Sequence, residues 1–440
     1  MERHTWFDRT NYYETVPTQA VEQALYIESE RMGYLLGALT QERLDTQRGV
    51  VQNEKRQGDN QPYGLTEYRQ LENLFPEGHP YRHSTIGSMA DLDNASLEDV
   101  RTWFRENYGP NNAVLVLAGD ITSAQARALT QHYFGAIPRG PANVPAAADV
   151  PTLSAPIYDV MQDRVSNTRL YRTWIVPGLT GDDQVALDIA ALVLGGLRSS
   201  RLDSILVRGE QTAVAVTAGI TAHQRVSFFE VTVDVKPGVD AAAVSDRLDA
   251  VIADLVANGP TADEVQRAAT TQVSGSLYAV EQVGGITEVL GNSAVLAGDP
   301  SFFRNNLARY GEVTPDDVRA ALGRWLTRPV YALRVDPGTR EPYEDAQSDR
   351  HPPPDNTPPT ASPREPIPLR WRNRRSRFSE CGARASLERR GDRLCASRRD
   401  PGHAAGARFR RRRRCRSRQW FRRTDLDARR AHRRRQWTQR

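Results

Sequence analysis

Residues 96–119, SLEDVRTWFRENYGPNNAVLVLAG, read as a capped helix, a Gly109-Pro110 turn and an apolar strand from Ala113 to Gly119. Ser96 stands at the N-cap, where a hydroxyl can accept one of the backbone N–H groups that a helix start leaves without a partner. The same order returns at 314–335, TPDDVRAALGRWLTRPVYALRV. There Thr314 is the N-cap, Pro315 occupies the first helical position, and a strand follows over Val330–Val335. Capped helices are common and one echo can arise by chance. Taken as a repeat, it organises the chain into two related α+β domains, each a mostly antiparallel sheet with helices packed on it.

Working outward, residues 5–17 (TWFDRTNYYETVP) have strand character until Pro17 stops the ladder. Val21, Leu25, Met32, Leu36 and Leu39 recur at helical spacing. Thr40 is positioned to cap a second helix that ends in the Gly58-Asp59-Asn60 breaker. A helix near 123–133 and the loop FGAIPRGP close this unit near residue 143. The second unit runs from about 150. Its strands are expected at 169–176, 213–218, 226–235 and 330–335, the third alternating as a half-buried strand does. Helices are expected near 182–194, 241–257, 262–277, before Ala297 and at 315–326, with Thr261 and Glu264 forming a capping box.

The charge of the chain is divided. Residues 370–440 hold 27 arginines, no lysine and six acidic residues, a net +21, so the first 369 residues carry −16 within an overall +5. An acidic body and a basic tail must be read separately. Cys381, Cys395 and Cys415 all lie in the tail, which rules out disulfides and thiolate metal sites in the body. No apolar run approaches the roughly 20 residues of a membrane span. The opening Met1-Glu2-Arg3-His4 is not a signal peptide, and the chain reads as if it begins inside a longer pattern.

Glu54 is the sharpest candidate for chemistry. On its helix it shares a face with Val50, Val51 and Gln47. A carboxylate on an apolar face needs a partner, because burial of an unpaired charge is costly, and a metal ion is one such partner. The other reading from spacing is a carboxylate at the rim, solvated or paired with Lys55 or Arg56.

Five strings occur in order: DRTNYYETVP (8–17), LDTQRGVVQNEKRQ (44–57), HPYRHSTIGSM (79–89), NYGPNNAVLVLAGDI (107–121) and LGGLRSSRL (194–202). Together they resemble the pitrilysin/insulinase family of zinc peptidases, which includes the mitochondrial processing peptidases. The resemblance covers roughly residues 5–340. It implies a chamber enclosed by two halves, in which zinc (Zn2+) held by two histidines of an HxxEH helix and a downstream glutamate hydrolyses peptides or proteins. Val50-Val51-Gln52-Asn53-Glu54-Lys55-Arg56 matches the string that carries the third ligand, so the resemblance makes Glu54 a metal ligand. Gln47 stands where the family often has a supporting acid. The HxxEH helix should precede DRTNYYETVP, where this sequence has only Met1–Phe7. His79 and His83 stand four apart, but Pro80 interrupts them and Arg82 replaces the glutamate, so a turn is expected there.

Zinc in such a site needs about three protein ligands and an open position for water, whose pKa it lowers, with a glutamate as base. No catalytic residue is therefore assigned here. The expected function is a half-molecule of a zinc metalloendopeptidase, inactive alone. The alternative is a non-catalytic, chamber-forming subunit that binds peptide beside an active partner. The resemblance also points to an exported or periplasmic protein. Gly195–Leu202 is a glycine-rich turn that could face an anion, but it lacks a phosphate-loop lysine, which favours a structural role.

Residues 1–143 are thus expected to be the remnant of the zinc-bearing domain and 150–340 its homologous second domain. Residues 341–369 are expected to be a proline-rich linker, and 370–440 a disordered tail. Arg410–Arg414 with Trp420 and Trp437 would bind nucleic acid only non-specifically, as a polycation. Arginine without lysine, and the missing periodicity, point to an out-of-frame translation from about Leu369. Sequencing the gene there should reveal another frame with an amphipathic α+β pattern; finding none refutes that reading.

Overall fold

The computed structural model describes residues 2–144, 146–340 and 342. The expected tail at 370–440 and all of the expected linker except Pro342 lie outside the described residues. The first region opens with β1 (Glu2–Thr5) and β2 (Thr10–Tyr13), paired antiparallel. Six helices follow: α1 (Val21–Tyr34), α2 (Gln41–Asp59), α3 (Thr66–Leu74), α4 (Met89–Asn94), α5 (Leu97–Asn107) and α6 (Ser123–Phe134). The second region begins β3 (Ile157–Asp163), β4 (Arg169–Pro177), α7 (Gln184–Ala191), β5 (Ala213–Ala222) and β6 (Val226–Val235). It continues through α8 (Ala241–Asn258), α9 (Ala262–Ala279), α10 (Val283–Leu296), α11 (Phe302–Glu312) and α12 (Pro315–Trp325) to β7 (Tyr331–Pro337).

The helix starts form where local chemistry places them. Ser96 with Asp99, Thr261 with Glu264 and Thr314 with Asp317 make capping boxes, and the Thr40 hydroxyl accepts from the Arg43 amide at 3.3 Å. The strands depart from expectation in the first region. In place of a strand over 5–17, residues 2–13 fold as the β1–β2 hairpin, turned by the Trp6 amide donating to the Arg9 carbonyl. The segment after Asn112 is extended, but it pairs in no sheet among the described residues, and Val114 and Leu115 are exposed. Apolar alternation alone does not make a strand: its amides and carbonyls need a neighbouring ladder.

The main sheet has the order β3-β7-β4-β6-β5, antiparallel except for the parallel β3–β7 pair. Both faces of β4 are covered. Leu170, Trp174 and Val176 point into a core with α7, α8 and α12, while Tyr171 and Ile175 point to the other face. That second face is covered by α3 and its flanks: Leu65, Leu71, Leu74, Phe75 and Tyr81 pack on Met161, Tyr331 and Leu333. Leu71, Leu74 and Phe75 are each 2% exposed, and burying one such side chain contributes roughly 1.5–3 kcal/mol. Thus a helix of the first region serves as a layer of the second region's sheet.

A polar clasp fixes that layer. Asp163, at the end of β3, is fully buried and accepts from the Tyr63 amide at 2.8 Å, the Arg164 amide at 2.7 Å and the Arg340 guanidinium. Arg340 also donates to the carbonyls of Asp59 and Gln61, so one arginine ties the end of α2 and the end of β3 to the segment beyond β7. The turn is demanding. Tyr63 takes φ 62°, and a Cβ on Gly64 would lie 2.4 Å from the Gly58 carbonyl oxygen. Burial opposes ionisation of Asp163, but the bonds from Arg340 and the two amides outweigh it and hold the carboxyl below its ordinary 3.8.

Asp163→Ala leaves the Arg340 guanidinium buried without its counter-charge and is expected to cost about 3–5 kcal/mol in urea unfolding near pH 7. Arg340→Met in the same chain should restore part of that loss. Because the folded pKa is depressed, the contribution of Asp163 is complete above 3.8 and is lost as pH falls through the lower folded value. An acid titration followed by circular dichroism should therefore show the wild type losing its advantage over Asp163→Ala only in that acidic window.

Candidate functional site

Helix α2 carries its polarity in the reverse of the usual sense. Its inward stripe is Arg48, Gln52, Lys55 and Asp59, spaced four, three and four residues apart. Arg48 donates to the carbonyls of Leu92 and Ala95, both at 2.7 Å, and Gln52 donates to Asp93 at 2.6 Å. Lys55 donates to the Tyr68 hydroxyl at 2.8 Å and lies 3.2 Å from the Asp59 carboxylate, to which Tyr68 donates at 2.7 Å. Burial and the Asp59 bond both push the Tyr68 phenol upward, keeping it a donor. This closed network is what makes a charged stripe tolerable inside the protein.

Glu54 lies on the opposite side. With Gln47 and Val50 it is exposed, and its carboxylate makes no hydrogen bond or ion pair among the described residues. The face that Val50 and Val51 marked as inward is exposed at Val50 and half-buried at Val51, because the Lys55–Asp59–Tyr68 triad claims the interior. Lys55, an expected partner of Glu54, is committed to Asp59.

The other motifs are structural. His79 stacks on Phe75 with ring centroids 4.6 Å apart, faces the Asp149 carbonyl through Nε2 and accepts from the Tyr81 amide through Nδ1. His83 is exposed, and its Nδ1 lies 3.1 Å from the Ser84 carbonyl oxygen, so the two imidazoles sit in a turn and do not converge. Gly195 presses on β5, where a Cβ would meet Ala218 at 2.9 Å. Arg201 is tied to Glu264 and Asp254 and to the Gly259 carbonyl. Gly195 and Arg201 of that turn are thus committed to packing and ion pairing.

One constellation was not legible from spacing. Asp8 accepts from the Tyr81 hydroxyl and, at 2.8 Å, from the Gln224 amide, with His223 Nδ1 3.9 Å away. Phe7, Tyr81 and Phe228 surround the imidazole at 5.1–5.7 Å. Burial lowers the His223 pKa, partly opposed by Asp8, so this ring is a neutral member of the seam between the β1–β2 turn and the β5–β6 turn.

Residues 94–272 match the domain described as Peptidase M16 inactive domain. Over that stretch the chain is similar to the M16 peptidases. Among curated M16-like relatives, the zinc protease PqqE of Helicobacter pylori is 28% identical over 255 residues, 56% of each chain. This chain thus spans just over half the length of that relative. An uncharacterized zinc protease of Streptomyces coelicolor is 24% identical over 330 residues, covering 72% of this chain and 69% of its own. Among solved structures, a protease from Helicobacter pylori superposes with a TM-score of 0.67 at 22% identity, over 73% of this chain and 78% of that one. The first half of the periplasmic protease PqqL from Escherichia coli superposes at 0.60 and 16% identity, over 73% and 71%. The likeness in fold extends across both regions described above.

The names of the relatives imply zinc, and the residues here do not fit it. Catalytic zinc takes three protein ligands, and among the described residues no group of three His, Cys, Asp or Glu is placed to hold a metal ion. Glu54 offers a single solvent-facing carboxylate. Accordingly, Glu54→Gln should change the stability of the chain by no more than about 0.5 kcal/mol. Lys55→Met, which strands the buried Asp59, should cost about 3–5 kcal/mol in the same urea experiment. A comparable loss in both variants would mean that Glu54 is held by the fold.

Proposed function

We propose that this chain is one half of a two-part zinc peptidase, lending Glu54 to a metal site whose other ligands come from another surface, and that alone it does not hydrolyse peptides. The observation that carries this reading is the contrast within α2. The helix is anchored along its inner stripe by Arg48, Gln52 and Lys55, yet it leaves the one family-matched ligand outward and unengaged. A helix held along its inner side fixes the backbone of an outward carboxylate, so a complementary surface has only the Glu54 side chain left to order. In this reading residues 1–143 and 150–340 are two homologous family domains that form one wall of a chamber. The substrate is a peptide or protein, and the partner is a second peptidase-family half. Among the described residues no helix is long and apolar enough to cross a membrane. An exported, periplasmic setting is proposed because the Escherichia coli relative PqqL is described as periplasmic.

A second reading has its own support. Gln47 replaces the acid that the family often carries one helical repeat before the ligand, and the matched region bears the description of the inactive domain. Both fit a non-catalytic half that binds peptide and shapes the chamber.

The test is the zinc content of the purified chain after chelation and zinc add-back, read by elemental analysis with a quenched fluorescent peptide assay alongside. The expected outcome is no stoichiometric zinc, no cleavage, and no difference between wild type and Glu54→Gln. One equivalent of zinc that is lost in Glu54→Gln, together with cleavage, would show a complete site in this chain and overturn the proposal. Saturable peptide binding that Glu54→Gln leaves unchanged would favour the non-catalytic reading.

A further inference from the structure

Away from α2, a cavity of about 290 Å³ opens between α7, α9, α11 and the end of β5. On one side stands Asp188, the only acidic or basic side chain among those that line it. Its Oδ2 accepts from the Tyr310 hydroxyl at 2.5 Å, and its Oδ1 is approached by the Gln184 amide at 3.3 Å. Tyr310 and Gln184 are themselves buried, at 5% and 1% exposure, and shield the carboxylate from one side while leaving it open to the cavity. The nearest cation does not neutralise it. Arg309 turns away to the carbonyls of Gly181 and Asp182 and the side chain of Asn306, and no ion pair to Asp188 exists among the described residues. A half-buried carboxylate on a cavity wall without a counter-charge is disfavoured unless it is protonated or a cation joins it.

The lining decides which cation. Leu179, Ile220, Phe303 and Leu307 form apolar walls, and a single carboxylate falls far short of the six or more oxygens that a calcium ion gathers. Apolar walls leading to one anionic group suit a cationic head on a methylene stem, with Phe303 able to contact the head through its ring. We propose that this cavity is a binding site for an aliphatic ammonium group, either a lysine side chain of a peptide or a free primary amine, paired with Asp188. It is separate from Glu54 and holds whether or not the chain partners a peptidase.

The ionisation of Asp188 agrees with that geometry. Burial pushes its carboxyl up to about 6, against the opposing pull of the Tyr310 and Gln184 bonds and of Arg309. Tyr310 is raised in turn by burial and by Asp188, so it stays a donor. From α9 the cavity receives only the neutral Gln272 and Ser276, and from β5 only Ile220 and Ala222. The site is therefore anionic at neutral pH and discharged by mild acid.

The experiment is isothermal titration of the full chain with n-butylammonium, N-acetyl-lysine amide and, as neutral isostere, 1-butanol. Saturable binding of an ammonium probe is expected, with 1-butanol and the Asp188→Asn variant each weaker by about tenfold or more. Affinity should also fall about tenfold between about pH 7.5 and about pH 5 as the carboxylate protonates. Ser276→Leu, which fills the cavity from α9 without touching the charge, should abolish binding at unchanged melting temperature. Tighter binding of N-acetyl-lysine amide would identify a peptide-borne lysine as the ligand, and tighter binding of n-butylammonium a free amine. Equal binding of 1-butanol by the wild-type chain, an undiminished affinity in Asp188→Asn, or no saturation by about 10 mM of either ammonium probe would overturn the proposal.

Discussion

The carboxylate of Asp163 is the point at which distant parts of this chain become one body. It terminates β3, receives the amide of a tyrosine held in a left-handed turn, and draws in an arginine from beyond β7. Without it the Tyr63–Gly64 turn would have to sustain an unfavourable backbone conformation unaided, and α3 would lose the hinge that lays it on the sheet. Other contacts at the same seam depend on that placement. Arg169 can lie over the Tyr63 ring at 3.8 Å, and Gln70 of α3 can reach Glu230 in β6 at 2.6 Å, only once the turn is set. Burial raises the Glu230 carboxyl, eased by Gln70 and Thr173, so this neighbour is tuned oppositely to Asp163 within a single interface.

Much of the fold was legible because its determinants are local. A Ser or Thr three residues before an Asp or Glu announces a helix start by a mechanism contained in four residues, and Ser96, Thr261 and Thr314 behaved accordingly. The alternation of β6, with Phe229, Val231, Val233 and Val235 turned to one core, was likewise readable. The elements that escaped notice lack such signals. Helix α3 begins after Leu65, which offers no capping side chain, and its start is set by the Asp163 clasp a hundred residues away. Strand β3 exposes Tyr158 and Val160 while burying Asp163, so its pattern runs against the rule that polarity marks the outside.

The candidate residue was singled out by resemblance, and its orientation was not legible. A string of seven residues singled out Glu54, but helical spacing placed Val50 and Val51 inside and the structure leaves Val50 exposed and Val51 half-buried, because Lys55 and Asp59 neutralise each other beneath Tyr68. Charge pairing across one helical turn overrode apolar spacing. Asp188 carried a signal that could have been used: it is the lone acid in the apolar helix QVALDIAA. What the sequence could not show is that Tyr310, from a helix it did not anticipate, closes over that acid.

The parallel pairing of β3 with β7 has a consequence for synthesis. Strand β7 is an interior strand, lying between β3 and β4, yet it is the last strand of this sheet in chain order. While the ribosome is still producing α8 to α12, β4, β6 and β5 can already pair as three antiparallel strands, but β3 has nowhere to dock and the face meant for α3 is incomplete. The sheet therefore cannot be completed until Tyr331–Pro337 emerges, and the β3–β7 pair closes a long loop. For this interval the molecule presents an unfilled strand position to its surroundings, which makes the timing of translation through residue 340 a factor in whether it reaches its native sheet.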